Sequence, residues 1–200
     1  MILEVKNLKK NFGGIKALDK CSLTIKKNTI TAIIGPNGSG KSTLFNSISN
    51  LISKDKGTIK LDNKPIGDLP DFEIARKGIA RTFQEVRLFH NLSIEDHMSI
   101  ALSDADEECC KSMIQKPKDE SKRIKGILDL VQLHKPLTTC ATNLSYGQRK
   151  LLDLAIAIAK PHHVLMLDEP VAGINPALRK IIKSILKKLH KKGETIILIE

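Results

Sequence analysis

Short apolar stretches alternate along the chain with longer segments in which apolar residues recur at helical spacing. Two of the short stretches, residues 30–34 and 164–167, are apolar almost throughout, which is typical of strands covered on both faces of a sheet. After Pro176, leucine and isoleucine instead recur at i, i+3 and i+4, so one stripe of a helix is expected to lie on the sheet. The alternation predicts an α/β domain with a largely parallel central sheet.

The same pattern places the individual strands and helices. Strands are predicted over residues 2–5, 21–25, 29–34, 58–61, 79–83, 164–167 and 195–199. Helices are predicted to begin near Gly40, Ser93, Ser121, Ser145 and Pro176. Ser93 is followed by Ile-Glu-Asp in an arrangement close to a capping box, and proline suits the first turn of a helix.

The middle of the chain differs in pattern from its two ends. Residues 86–143 lack the β-branched strand pattern and are polar and helix-favouring, with a loop predicted over residues 115–120. We therefore predict a helical subdomain over residues 86–159, which includes the helix that begins near Ser145. It is inserted into an α/β core formed by residues 1–85 and 160–200.

The net charge raises the question of a polyanionic partner. The chain has 33 Lys and Arg against 22 Asp and Glu, which gives a formal charge of +11. Many of the lysines fall on the polar side of the helix after Pro176, where a solvated face explains them. With one tyrosine, five phenylalanines and no tryptophan, a basic groove with stacking aromatics is poorly supported. Nucleic acid is therefore not expected as a partner.

The cysteines and the apolar runs bear on location. Cys21, Cys109, Cys110 and Cys140 form neither a CxxC pair nor a zinc-ligand spacing, so we expect reduced thiols in a cytosolic protein. The longest uninterrupted apolar run, residues 154–159, is far shorter than the roughly 18 residues that a membrane span needs. The first residues lack the apolar core of a secretory signal. A membrane role is therefore expected to come through a partner.

A glycine-rich segment carries the strongest chemical signal in the sequence. Residues 35–43 match G-x-x-x-x-G-K-[ST], after an apolar strand and before a helix. The glycines allow backbone N–H groups to surround phosphate oxygens, and the helix presents its positive end to the same charge. Lys41 is expected to reach the β- and γ-phosphates, and the Ser42 hydroxyl to bind Mg²⁺. The predicted nucleotide-binding residues are Gly35, Pro36, Asn37, Gly38, Ser39, Gly40, Lys41, Ser42 and Thr43.

Two adjacent carboxylates follow the apolar run at residues 164–167. Asp168 ends the run and is predicted to hold Mg²⁺ through water. Glu169 comes next and is predicted to polarise the attacking water as a general base, a role worth about 10²- to 10⁴-fold in rate. An ordinary strand end before a turn is the alternative, which the phosphate loop makes the weaker interpretation.

A third motif lies between the other two. Leu-Ser-Tyr-Gly-Gln at residues 144–148 supplies small and polar groups at the start of a helix, which is a second anion site. The alternative is ordinary N-capping by Ser145. The position of the segment between the phosphate loop and the acidic pair favours the anion site.

With these motifs together, the chain resembles the nucleotide-binding domain of ATP-binding cassette proteins, over essentially all of its 200 residues. The resemblance implies a P-loop NTPase fold, with a RecA-like core of mixed, mainly parallel sheet and an inserted helical subdomain. It also implies that Phe12 stacks on adenine, and that Gln84 touches Mg²⁺, takes part in catalysis and faces the membrane partner.

The resemblance further implies a head-to-tail dimer that forms with ATP. Residues 144–148 match the signature sequence, although Tyr146 stands where the commonest signature has glycine. Ser145, Tyr146, Gly147 and Gln148 of one chain would then contact the ATP held by Lys41 of the other chain. Residues 172–176 match the loop that crosses the dimer contact, with Gly173 and Asn175 in it. The second chain would be another copy or a related subunit.

Within the family, residues 81–89, the tyrosine in the signature and the Gly-Ile-Asn-Pro ending look like the ATPase subunits of branched-chain amino acid importers. This resemblance implies ATP hydrolysis that powers an integral membrane permease, with the chain at the cytoplasmic face of the cell membrane. A non-transport member of the family that acts on nucleic acid or ribosomes is the alternative. A small-molecule kinase or GTPase would leave residues 145–148 unexplained.

The resemblance also shows one large departure. In the family, the strand at residues 195–199 leads through an acidic residue to a histidine that contacts the γ-phosphate, and this sequence stops at Glu200. None of the six histidines lies at the matching place; they are His90, His97, His134, His162, His163 and His190. The resemblance therefore predicts a truncated product that still binds ATP but turns it over weakly, and a sheet with an unprotected edge.

Overall fold

The structure, a computed structural model, describes residues 1–103 and 118–200. The described chain divides into two compact units. Unit 1 consists of Met1–Arg81, His162–Ala172 and Leu186–Glu200, and unit 2 consists of Thr82–Pro161 and Gly173–Ile185. The sequence-based boundaries differ from this division. They assign residues 82–85, 160–161 and 173–185 to the α/β core, whereas the structure places these residues in unit 2.

The strands, in chain order, are β1 (Leu3–Phe12), β2 (Ile15–Ile25), β3 (Ile30–Ile33), β4 (Lys56–Leu61), β5 (Lys64–Pro65), β6 (Ile79–Arg81), β7 (Val164–Asp168) and β8 (Ile196–Ile199). The helices are α1 (Lys41–Ile48), α2 (Asp71–Arg76), α3 (Ile94–Leu102), α4 (Lys118–Val131), α5 (Tyr146–Ala159) and α6 (Pro176–Lys191). Every predicted strand and helix is present, whereas the short β5 and α2 are not predicted from the pattern.

An antiparallel sheet in unit 1 has the strand order β2-β1-β4-β5. Gly13 and Gly14 join β1 to β2, and their φ angles of +49° and +93° suit the tight hairpin turn that twisted strands prefer. Leu3 pairs with Ile25 on one side and with Leu61 on the other, and all three are buried. The apolar pattern predicts one central sheet, and the structure has this second one because the hairpin reverses the chain.

A parallel sheet in unit 1 has the strand order β3-β8-β7-β6. β7 is buried along its whole length, as its apolar sequence predicts. β3 is not fully buried. Ile30 is 38% exposed, and along the strand exposed residues alternate with half-buried ones. In the described chain β3 pairs with β8 alone. The prediction that residues 30–34 are covered on both faces is therefore wrong, although the strand itself is confirmed.

Unit 2 is built on packed helices, in which α3, α4 and α5 contact one another. The cap predicted at Ser93 is confirmed, because its hydroxyl accepts a bond from Asp96 N at 3.1 Å and its N–H donates to the Asp96 carboxylate at 2.9 Å. α4 begins at Lys118, three residues before the predicted Ser121. Residues 118–120 are thus helical where a loop is predicted, and residues 115–117 lie outside the described residues, as do Cys109 and Cys110.

The last helix, α6, has the predicted apolar stripe. Ile182, Ile185 and Leu189 are buried, while Lys183 and Lys187 on the polar side are exposed. None of the helices in the described part of the chain has the length and apolar character required to cross a bilayer. No group of three or more His, Cys, Asp or Glu residues in residues 1–103 and 118–200 is arranged to hold a metal ion.

Candidate functional site

The glycine-rich loop connects the end of β3 to the first residue of α1, in the strand, loop and helix order that the motif requires. Gly38 and Gly40 have φ angles of +80° and +91°, in the left-handed region that favours glycine. A Cβ at Gly40 would lie 2.4 Å from the carbonyl oxygen of Ala17. Glycine is therefore required at position 40 for both its conformation and its size.

Lys41 points its side chain back into this loop. Its Nζ donates to the carbonyl oxygens of Gly35 at 2.6 Å and Pro36 at 3.0 Å, and the residue is 9% exposed. Both acceptors are neutral, so they satisfy two of the three ammonium donors without cancelling the charge. The first-turn amides of α1 have no acceptor within the helix, and that turn contains no acidic residue. A buried ammonium beside unpaired amides is chemically suited to a phosphate group.

The other residues of the loop differ in accessibility. Ser42 is exposed at the second position of α1, and Thr43 and Gly35 are half-buried. Most of the remaining residues are also open to solvent, namely Pro36, Asn37, Gly38 and Ser39. The loop therefore presents its backbone and the Ser42 hydroxyl to solvent, while the Lys41 side chain stays inside.

The acidic pair reaches the same edge of the parallel sheet as the loop. Ile33 at the end of β3 pairs with Ile199, and Ile199 pairs in turn with Asp168 at the end of β7. Adjacent strands are about 4.8 Å apart, so one strand separates the start of the loop from Asp168. The carboxyl edge of a parallel sheet is where α/β proteins bind ligands.

Asp168 and Glu169 differ in their surroundings although they are adjacent. The Asp168 carboxylate is buried and lies 3.0 Å from a guanidinium nitrogen of Arg81. Glu169 is half-buried and has a φ angle of +45°, which is unusual for a residue other than glycine. Its N–H donates to Ile199 O at 3.1 Å, and its carbonyl accepts from Ala172 N at 3.2 Å. These backbone bonds hold Glu169 in a conformation that costs about 1–3 kcal/mol.

Phe12 closes β1 beside the hairpin glycines, and 43% of it is exposed. The Lys10 ammonium lies 5.3 Å from the centre of its ring. Asp55 fixes the neighbouring residue, because its carboxylate accepts from Asn11 N at 2.7 Å and from the Asn11 side chain at 2.9 Å. These contacts, with Lys10, hold the pKa of the Asp55 carboxyl below its ordinary value. The hairpin thus presents an accessible aromatic ring on a fixed turn.

In unit 2, the segment at residues 145–148 starts α5 with a capping box. Ser145 Oγ accepts from Gln148 N at 3.3 Å, and Ser145 N donates to the Gln148 side chain at 3.0 Å. Ser145 therefore does perform the ordinary N-capping that the sequence left as an alternative. Capping occupies the Gln148 amide, so the amides of Tyr146 and Gly147 are the first-turn donors that have no acceptor within α5.

The structure brings this segment together with residues 173–175. Both line one open pocket of about 560 Å³ in unit 2. The Tyr146 ring lies 3.8 Å from the position of a Cβ on Gly173, and Asn175 caps α6 by accepting from Leu178 N at 2.8 Å. The shared lining includes Ser145, Tyr146, Gly147, Gln148, Gly173 and Asn175.

Gln84 is exposed and belongs to unit 2, whereas the phosphate loop and the acidic pair belong to unit 1. Its carbonyl accepts from Lys150 Nζ at 3.4 Å, and the same ammonium lies 5.8 Å from the centre of the Tyr146 ring. A second pocket, of about 220 Å³, is lined partly by residues that come soon after Gln84 in the sequence. Its lining consists of Glu85, Val86, Leu88, His90, Ala141, Thr142, Tyr146 and Arg149. Sequence reasoning missed Lys150, which has no motif to mark it.

Asp153 is a half-buried residue on α5, one turn after Lys150. Burial raises the pKa of its carboxyl from 3.8 to about 7, and the charge of Lys150 acts in the opposite direction. A raised pKa in the folded state contributes stability that is present below pH 3.8 and is lost as the pH rises through about 7. The charged Asp153 carboxylate therefore lowers the free energy of unfolding of the wild-type protein at neutral and alkaline pH.

Replacement of Asp153 by a neutral residue should remove this loss of stability. We expect Asp153→Asn to match wild type near pH 4 and to become more stable as the pH rises to 7, with a constant gain above it. A gain of about 1–2 kcal/mol is expected, since each unit of pKa shift is worth about 1.4 kcal/mol and partial solvation reduces the total. Urea unfolding at a series of pH values measures it. A difference that is the same at every pH would contradict the assignment to this carboxylate.

Comparison with known proteins gives consistent matches over most of the chain. Residues 18–172 match the ABC transporter family. A probable branched-chain amino acid transport ATP-binding protein LivG from Archaeoglobus fulgidus is 34% identical, over all of this chain and 79% of the relative. A high-affinity branched-chain amino acid transport ATP-binding protein LivG from Escherichia coli K12 is 31% identical, over 99% of this chain and 80% of the relative.

Solved structures match the fold as well as the sequence. A crystal structure of the ADP conformation of an ATP-binding cassette of an ABC transporter is 35% identical, with a TM-score of 0.85, over all of this chain and 80% of that one. A dimeric post-hydrolysis structure of another ATP-binding cassette, bound to ADP and Pi, is 27% identical, with a TM-score of 0.86, over 99% of this chain and 87% of that one.

Proposed function

The chain belongs to the ABC transporter family, and from that premise we propose that it binds and hydrolyses MgATP as half of a head-to-tail dimer that powers a membrane permease. The observation that carries this proposal is the buried Lys41 ammonium inside a loop of backbone amides. This loop lies at the same sheet edge as Asp168. An ammonium and an acidic group at one edge suit a phosphate together with a divalent cation.

The phosphate groups of ATP are assigned to residues 35–43 in unit 1, with the α1 amides and Lys41 as the donors. Phe12 provides the exposed ring on which the adenine stacks. Within unit 1, Ser42 and Asp168 would hold Mg²⁺, Asp168 through water. When bound, the ion neutralises charge on the phosphate oxygens.

Glu169 is the proposed general base for the attacking water. Its strained backbone supports this role, because unusual conformations held by surrounding bonds are frequent at active sites. Lys41 completes the proposed catalytic group of unit 1 by stabilising charge on the transferred phosphate. In this scheme Asp168 orients the metal and Glu169 takes the proton, so each carboxylate has one task.

The proposal of a dimer is based on the open pocket of unit 2 and not on the phosphate loop. Ser145, Gly147 and Gln148 line it together with Gly173 and Asn175. We assign this surface, including Tyr146, to the ATP held by the second chain, which would be another copy or a related subunit. ATP then favours association because its γ-phosphate contacts both chains, and hydrolysis removes that contact.

The permease and its cargo follow from the relatives. Those compared are named as branched-chain amino acid transport proteins, so amino acid uptake is the proposed process. The pocket beside Gln84, lined by Glu85 and Arg149 among others, is the proposed contact for the permease. The chain would accordingly work in the cytoplasm, attached peripherally to the inner face of the membrane.

A mixture of two inactive variants tests the head-to-tail arrangement. Lys41→Ala removes the phosphate lysine, and Ser145→Asp keeps an oxygen that caps α5 while adding a negative charge toward the partner's phosphate. We expect each variant alone to hydrolyse little ATP. A mixed dimer contains one site in which both groups are intact, so the mixture should exceed the sum of its components. ATPase rate against mixing ratio at constant total protein measures this.

The control is Ser145→Asn, which caps the helix without adding charge and should lose less activity than Ser145→Asp. A mixture that is only as active as the average of its two components would reject a site shared between chains. In that case the pocket of unit 2 would need another role.

A further inference from the structure

Arg81 is a buried cation at the end of β6, and no role has been given to it above. Its guanidinium Nη2 lies 3.0 Å from Asp168 Oδ2, and the two side chains are 7% and 5% exposed. Buried arginines are rare unless they are paired, and a carboxylate is the acceptor that suits the planar guanidinium fork best. Arg81 therefore holds the carboxylate that the proposed function assigns to magnesium.

The other side of the guanidinium contacts α1. Nη1 donates to the Ser49 hydroxyl at 2.9 Å, and the group lies 5.6 Å from the centre of the Phe45 ring. Phe45 is buried within α1, and Ser49 caps the end of that helix. One side chain thus bridges β7 and the helix that follows the phosphate loop.

This bridge has a geometric consequence for the metal site. Ser42 is the second residue of α1, and Asp168 is the last residue of β7. A helix is stiff along its length, with about 1.5 Å of rise per residue, so a tie at Ser49 restrains Ser42 at the other end. The guanidinium therefore restrains both protein groups that would hold the ion in unit 1.

We propose that Arg81 is a positioning residue for the magnesium site, which fixes the separation of Ser42 and Asp168 by bonding Ser49 and Asp168 with the two arms of one guanidinium. The proposal rests on the proposed function, because it takes Ser42 and Asp168 as the metal-side groups. Lysine cannot replace arginine here, since an ammonium lacks the planar fork that reaches two fixed acceptors at once. Partners that orient metal-side groups affect metal affinity by about 10- to 100-fold when they are removed.

The test measures magnesium dependence in two variants. Arg81→Lys keeps the charge but loses the fork, and Ser49→Ala removes only the acceptor on α1. ATP is titrated into each protein by calorimetry, first in EDTA and then at increasing MgCl₂. We expect Arg81→Lys to need about tenfold more Mg²⁺ for half of the magnesium-dependent gain in affinity. Ser49→Ala should shift in the same direction by less, and both should bind ATP in EDTA as wild type does.

A purely structural role for Arg81 predicts a different result. Loss of a buried ion pair would then lower the unfolding temperature and leave the magnesium midpoint unchanged, and that outcome in both variants would overturn the proposal. Asp168→Asn supplies a further check, because Arg81→Lys should shift the midpoint no further in its presence. Additive shifts would mean that Arg81 does not act through Asp168.

The metal assignment and the role of Arg81 can be rejected by different results. Wild-type protein that binds ATP equally well with and without Mg²⁺ would reject the metal assignment itself. If Mg²⁺ clearly raises the ATP affinity of the wild-type protein but both variants keep the wild-type magnesium midpoint, only the role of Arg81 is rejected.

Discussion

Lys41→Ala is expected to weaken MgATP binding by about 10- to 100-fold, since a hydrogen bond to a charged group is worth roughly 1.5–3 kcal/mol. The lysine is already buried in the loop and held by Gly35 O and Pro36 O. It therefore binds phosphate without first losing side-chain freedom, and its removal deletes the charge that faces the γ-phosphate. Calorimetry with MgATP measures the affinity, and hydrolysis should fall at least in proportion.

A matched control separates this effect from the loss of one positive charge anywhere on a basic protein. Lys187 is exposed on α6, so Lys187→Ala removes the same charge without touching the loop. The control should bind MgATP as wild type does. Unchanged affinity in Lys41→Ala would contradict the assignment of residues 35–43 to phosphate, and the proposed function with it.

Glu169→Gln is expected to lower ATP hydrolysis by about 10²- to 10⁴-fold while MgATP binding persists. The exchange keeps the size of the side chain and removes its ability to accept a proton, so the bound state outlives its normal turnover. A loss of 10²-fold corresponds to about 2.7 kcal/mol in the activation barrier. Because ATP is proposed to join two chains, a dimer should accumulate, and size-exclusion chromatography with MgATP would detect it.

The control for this exchange is Glu73→Gln, which makes the same chemical change on α2. It should neither slow hydrolysis nor accumulate a dimer. If Glu169→Gln hydrolysed ATP at the wild-type rate, another group would have to be the base. If it were inactive but remained monomeric with MgATP, the proposed dimer would be wrong while the catalytic role could stand.

Much of the fold follows from local pattern. The seven predicted strands and five predicted helices are all present, because a continuous apolar run or a period of 2 marks a strand and a period of 3.6 marks a helix. Ends are less well predicted, as at α4, where helix-favouring residues extend the helix to Lys118. The sheets divide in a way that the pattern does not reveal, since β2 and β3 follow each other in the sequence but belong to different sheets.

The candidate site shows the same division. The loop, the acidic pair and the start of α5 are recognisable because each is a short run of contiguous residues. Arg81 stands inside a motif that was used for the family resemblance, yet nothing local indicates that its partner is Asp168. Lys150 is similar, because its contacts with Gln84 O and the Tyr146 ring join parts of unit 2 that are distant in sequence. An arginine that ends a buried strand is the one signal that could have drawn attention to Arg81.

The sequence by itself determined the phosphate loop, the helix caps and the family, because these depend on the backbone freedom of a few glycines and on side chains within three or four positions of their partners. Only the tertiary structure decided that Arg81 bonds both Asp168 and Ser49, that the segments at 145–148 and 173–175 line one pocket, and that β3 is half-exposed. Those outcomes depend on which strands and helices pack together. Burial and loss of solvent then set the strength of each charge pair, and neither quantity is written in residue spacing.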